Sequence, residues 1–189
     1  MESSQLCFGT YTWFGHGHLN PVTILRNALV KCPDEGIDPS TSGLDYISDP
    51  DFKKNLQIDI SSSNQALRNG EWKAATVLAG SVIEALLLWA LQEIQATDPD
   101  KINNARSRLT SNPGQNLEKW KLYQLIDVAE DIGIITKDTA TQSRLAKDFR
   151  NLIHPGRSAR KQQICDRGTA FSAIAAIEHI DRDLHIFNP

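Results

Sequence analysis

Residues 74–91 read AATVLAGSVIEALLLWAL, an apolar run with few polar interruptions. Its length sits near the lower limit for a membrane-spanning helix, roughly 18 residues. Glu84 stands in its middle, and Thr76, Gly80 and Ser81 add polar or small positions. A carboxylate at the centre of a bilayer is costly, and the flanking segments have the mixed polarity of amphipathic helices. The run therefore predicts a central helix, Glu71 to Gln95, buried on most sides by other helices, and no membrane span. A buried carboxylate needs a partner or is neutralised. Glu84 is thus expected either to make a structural ion pair or hydrogen bond, or to fix an arginine in a cleft.

Working outward, the pattern stays helical. Asp51 to Arg68 carries Phe52, Leu56, Ile60 and Leu67 among polar residues, and Asn69-Gly70 is a stop signal. Asp98-Pro99 can cap and open a short helix. Ser111-Asn112-Pro113-Gly114 is a break. Leu117 to Ile132 has apolar residues at a 3.6 period, including Trp120, Leu125 and Ile126, and Gly133 ends it. Thr136 or Asp138 can cap a helix running to Ile153, closed by Pro155-Gly156. A last helix is expected from Ser158 to Leu184, with Ile164, Phe171, Ile174, Ala175, Ile177 and Ile180 as its stripe. No segment alternates as a strand does. Short connections between amphipathic helices predict an all-α, antiparallel helical bundle.

Before this lies a different composition. Residues 32–50 hold Pro33, Pro39, Pro50, Gly36 and Gly43 and read as loop or linker. Residues 21–31 can form a short helix with proline in its first turn. The expected organisation is an irregular extension over residues 1–50 and a helical bundle over residues 51–189.

The whole chain has 189 residues, 40% hydrophobic, and a formal net charge of −3. That suits one domain with a real core and argues against a large basic nucleic-acid platform. Cys7, Cys32 and Cys165 form no paired spacing. With no basic-then-apolar leader at the N-terminus, a cytoplasmic protein is expected. Gly15-His16-Gly17-His18 offers two histidines with no further ligand at metal spacing, so neither metal nor cofactor is expected. Trp72, Trp89 and Trp120 fall at core spacing, and packing is favoured over base stacking. His179 and His185 read as surface or rim residues.

The stretch with most chemistry is Phe149-Arg150-Asn151-Leu152-Ile153-His154-Pro155-Gly156-Arg157. Arg150 and His154 are four apart, a spacing that shares a helix face. An arginine near a helix end can simply complement the dipole. Here it has company: Arg144 and Lys147 upstream, and Arg157, Arg160 and Lys161 downstream. This is the most basic part of an acidic chain, able to collect a phosphate backbone locally. Histidine can accept the proton of a ribose 2′-hydroxyl near neutrality. Arginine can brace the phosphorane-like transition state with two parallel hydrogen bonds. Asn151 can orient either partner or bind ribose.

Two pieces of the chain resemble the HEPN superfamily, the higher eukaryotes and prokaryotes nucleotide-binding domains. FRNLIHPGR resembles its motif of arginine, polar residue, short spacer and histidine, here with a spacer shorter than usual. Residues 70–87, GEWKAATVLAGSVIEALL, look like its early helix. Together with the helices between and after them, the resemblance covers residues 51–185. It implies a dimerising helical bundle. Many such proteins are metal-independent ribonucleases of toxin–antitoxin or other defence systems, with arginine and histidine from two subunits in one cleft. On that mapping Arg150 holds the phosphate and transition state, His154 is the acid/base, Asn151 and Arg157 contact substrate, and Glu84 supports Arg150. The expected partners are RNA or a nucleotide, a second copy of the chain, and an antitoxin or other defence protein. The alternative is a non-catalytic module of the same fold, used for dimerisation, nucleotide binding or partner docking.

Overall fold

The computed structural model describes Val22 and residues 43–111, 113–151, 156 and 164–187. The chain divides into two units at Glu35/Gly36, and all that follows concerns the second. Its described residues form six α-helices and one 3-10 turn, with no strand among them. The all-α expectation holds. The helices are α1 (Pro50–Arg68), α2 (Trp72–Thr97), α3 (Pro99–Arg108), α4 (Leu122–Asp131), α5 (Lys137–Arg150) and α6 (Arg167–Phe187), with the 3-10 turn Leu117–Lys119 before α4.

Local chemistry sets the ends of α1. The Asp49 carboxylate accepts the backbone N–H of Asp51 and Phe52 at 2.9 and 3.1 Å, and Pro50 opens the helix. At the far end Gly70, at φ +77°, takes the left-handed turn that a side chain would resist. The chain folds back into α2 so closely that Ser63 Oγ donates to the carbonyl of Ala75 at 3.0 Å. At the other end of the pair, Phe52 shares a cleft with Leu88 and Trp89. The two helices therefore run antiparallel.

The central helix packs against α1, α5 and α6. Ala75, Ala79, Val82, Ile83, Leu86, Leu87, Ala90 and Leu91 are fully buried. By length and composition alone α2 is apolar enough to cross a membrane, and here that apolar face is the core of the bundle. Its opposite side is not enclosed: Val77, Leu78, Ser81, Glu84, Ala85 and Leu88 are half-buried. Burial on most sides thus overstates what the neighbours cover, and the apolar run reports one buried face plus one half-exposed stripe.

Helix α6 runs antiparallel to α5, because Asp183 and Arg182 near its end meet Thr136 and Thr139 at the start of α5. It runs parallel to α2. Cys165, just before α6, contacts Thr76, while Tyr46 bridges Trp89 to Asp181 and His185 at the other end. The antiparallel rule therefore holds only for some pairs.

Three further expectations are corrected. The Leu117–Ile132 helix is divided: Asn116 caps a 3-10 turn, Trp120 is extended, and α4 starts at Leu122. Trp120 leaves the helix because that buries its ring and lets Nε1 donate to the Gly114 carbonyl at 2.8 Å. The last helix starts at Arg167, not Ser158: residues 164–166 are irregular, and Asp166 and Thr169 exchange side-chain caps. Its buried stripe is Ala170, Ala173, Ala176, Ile177, Ile180 and Leu184, while Ile164 and Phe171 are exposed. Small alanines let α2 and α6 approach, and the Arg167 guanidinium covers the Phe171 ring at 5.2 Å.

Of the stretch read as loop, residues 43–49 are irregular in backbone, yet Leu44 and Ile47 are buried in the main core. Leu44 sits at φ +49°, a strained conformation for leucine that burial holds in place.

Candidate functional site

Helix α5 ends at Arg150, and Asn151 is its C-cap, with its backbone N–H directed to the carbonyls of Lys147 and Phe149. His154 and Arg157 lie outside the described residues, as do Arg160 and Lys161.

What the fold does bring together is Arg150 and Glu84. Nη1 of Arg150 donates to Glu84 Oε2 at 2.5 Å, joining residues far apart in sequence. Both side chains are about one-third exposed, at 34% and 36%. The expectation of a buried carboxylate is corrected, since Glu84 lies on the half-exposed side of α2. That exposure decides the energetics. A fully buried pair costs roughly 3–5 kcal/mol when one partner is removed, whereas a half-exposed pair is screened and contributes about 1 kcal/mol or less. The pair positions more than it stabilises.

Gly80 lies one helical turn before Glu84 and makes that positioning feasible. A Cβ added at Gly80 would sit 2.7 Å from Arg150 Cδ, 3.3 Å from its Cγ and 3.4 Å from its Cβ. No such carbon fits without moving the arginine stem. Arg150 therefore crosses α2 over the bare backbone of Gly80, and its guanidinium reaches the carboxylate one turn on. Gly80 is the residue that sequence reasoning missed. Its one signal is a glycine placed four before a glutamate, inside a helix where neither a turn nor a cap calls for glycine.

The basic surroundings are largely compensated. Arg144 Nη2 donates to Asp127 Oδ1 and to Glu130 Oε2, each at 2.6 Å. Burial works against the Arg144 charge, but the bonds to these two carboxylates raise its pKa. Lys147 pairs with Asp148 at 3.1 Å. Arg150 is held by one carboxylate through one nitrogen, where Arg144 is shared between two.

Other candidates resolve differently. Trp120 is a core residue, whereas Trp89 is half-buried, with its ring centroid 5.6 Å from that of Tyr46. The Tyr46 hydroxyl donates to Asp181 Oδ1 at 2.8 Å. Burial, and then that carboxylate, push the phenol well above its ordinary range. His179 lines a polar cleft with Arg182 and Gln142. Among the described residues no three His, Cys, Asp or Glu side chains gather as metal ligands, and His16 and His18 lie outside them.

No protein-family model, curated protein or solved structure matches this chain.

Proposed function

We propose that this protein is a HEPN-like, metal-independent endoribonuclease of a defence or toxin–antitoxin system, acting as a cytoplasmic homodimer that does not span the membrane. The observation that carries the reading is the Arg150 seat: an arginine stem laid over Gly80, with its guanidinium tethered through one nitrogen to Glu84. An arginine held in this way is pre-oriented, and its remaining donors can brace a phosphodiester.

In the reaction, His154 takes the proton of a ribose 2′-hydroxyl. The 2′-oxygen attacks the adjacent phosphorus, and Arg150 stabilises the charge gathering on the non-bridging oxygens. The bond from phosphorus to the 5′-oxygen breaks, and that oxygen leaves as a hydroxyl by taking back the proton that His154 accepted. The products are a 2′,3′-cyclic phosphate and a 5′-hydroxyl end. Asn151 and Arg157 are assigned to substrate contact and Glu84 to positioning.

The compensation of Arg144 and Lys147 by neighbouring carboxylates favours a second reading. In that reading the same bundle is a non-catalytic module for dimerisation, nucleotide binding or partner docking. Incubation with structured RNA in EDTA separates the two. The nuclease reading predicts cyclic-phosphate ends from the wild type and intact RNA with His154→Ala and Arg150→Ala. RNA left equally intact by all three supports the module.

A further inference from the structure

On the side of α2 next to the start of α1 lies a cleft of about 350 Å³. Phe52 and Trp89 supply aromatic wall, Leu88 supplies apolar floor, and Asp49, Gln92 and Glu93 supply the polar rim. Tyr46 packs on Trp89 and is anchored by Asp181, so the indole is held in one orientation. Neither Asp49 nor Glu93 has an ion-pair partner among the described residues. The nearby cation Lys53 is engaged by Asp45 at 2.8 Å. No lysine or arginine lines the cleft.

We propose that this cleft is a binding site for an organic cation of the alkylguanidinium or alkylammonium class. Three features select that chemistry. Aromatic faces attract a cation through the ring quadrupole. Two carboxylates without an ion-pair partner among the described residues, Asp49 and Glu93, repel phosphates and other anions at the rim, which separates this cleft from any RNA-contacting surface. The apolar floor accepts an aliphatic stem, as snorkelling side chains require. The ligand is either a free amine or an arginine or lysine side chain offered by another protein. The site is independent of the nuclease reading.

The test is a titration of the ¹⁵N-labelled full chain with butylguanidinium, following the Trp89 indole and Gln92 side-chain amide signals. The Trp89 signal is assigned with Trp89→Phe. Both signals are expected to move saturably at millimolar concentration, while the neutral isostere butylurea leaves them in place. Asp49→Asn keeps an equally good helix cap and removes one charge, and Glu93→Gln removes the other. Each should raise the dissociation constant about three- to tenfold, the scale of one screened charge pair. Agmatine and a capped Gly-Arg-Gly peptide then distinguish a free amine from a protein side chain by which binds more tightly. Equal shifts with butylurea, an affinity unmoved by both charge removals, or no shift at all would overturn the proposal.

Discussion

Gly80→Ala tests the seat of Arg150 more sharply than any change to the ion pair itself. In a helix interior, alanine is favoured over glycine by about 1 kcal/mol. Against this stands the new Cβ, 2.7 Å from Arg150 Cδ. Overpacking of that kind costs roughly 1–3 kcal/mol, and expelling the arginine also loses a half-exposed pair worth about 1 kcal/mol or less. The net expectation is a destabilisation of about 1–2 kcal/mol. In an Arg150→Ala background the clashing stem is gone, and the same substitution should stabilise by about 1 kcal/mol. The sign therefore inverts, with a coupling of about 2–3 kcal/mol. Urea unfolding of the wild type, both single variants and the double variant, at one protein concentration, measures it. Were Gly80→Ala stabilising to the same extent in both backgrounds, Arg150 would not lie over Gly80 and would not be positioned by it.

Two other predictions concern the polar links that hold the bundle ends. Asp183 is buried, and Oδ2 accepts the backbone N–H and hydroxyl of Thr136 at 2.8 and 3.0 Å, while Arg182 Nη2 donates to Oδ1 at 2.8 Å. Burial pushes its carboxyl up, but these bonds and Thr139 together hold it below its usual value. Its contribution is therefore present above about pH 4 and lost as pH falls through the depressed native value. Asp183→Ala should cost about 3 kcal/mol at neutral pH and weaken the loss of stability in acid, measured by denaturant midpoints across that range. Tyr46 has the opposite sign. Its raised pKa gives stability that is full below about pH 10 and falls as pH rises towards the native value. Tyr46→Phe should cost about 1–2 kcal/mol at neutral pH and flatten that alkaline decline, read by the same unfolding series.

The fold was legible where period and punctuation agree. Asn69-Gly70, Asp98-Pro99 and Gly133 each sit at a helix end, because caps and left-handed turns depend on the residue itself and not on distant neighbours. Legibility failed where tertiary contacts chose between states that local sequence leaves equal. Trp120 fits a helical period, but the Gly114 carbonyl holds it extended. In the last helix Ile177 and Ile180 are buried as expected, whereas Ile164 precedes α6 and Phe171 is exposed, and the close approach of α2 selects alanines beside the two isoleucines. At the candidate site, Arg150 and Glu84 were recognisable as chemistry, and the fold pairs them. The place of Gly80 beneath Arg150 was not readable, since a gap for a crossing side chain leaves only a glycine behind. Nor was the local neutralisation of Arg144, because Asp127 and Glu130 meet it across a helix boundary.

The central claim is that Arg150 braces a phosphodiester during metal-independent RNA cleavage. The most direct measurement is the single-turnover cleavage rate of structured RNA in EDTA, for the wild type against Arg150→Ala, with circular dichroism showing that both are folded. The account predicts cleavage by the wild type and a loss of about 100- to 1000-fold in the variant, the range for removing one donor that meets transition-state charge. Equal rates in the two proteins, or no cleavage by either, would contradict it.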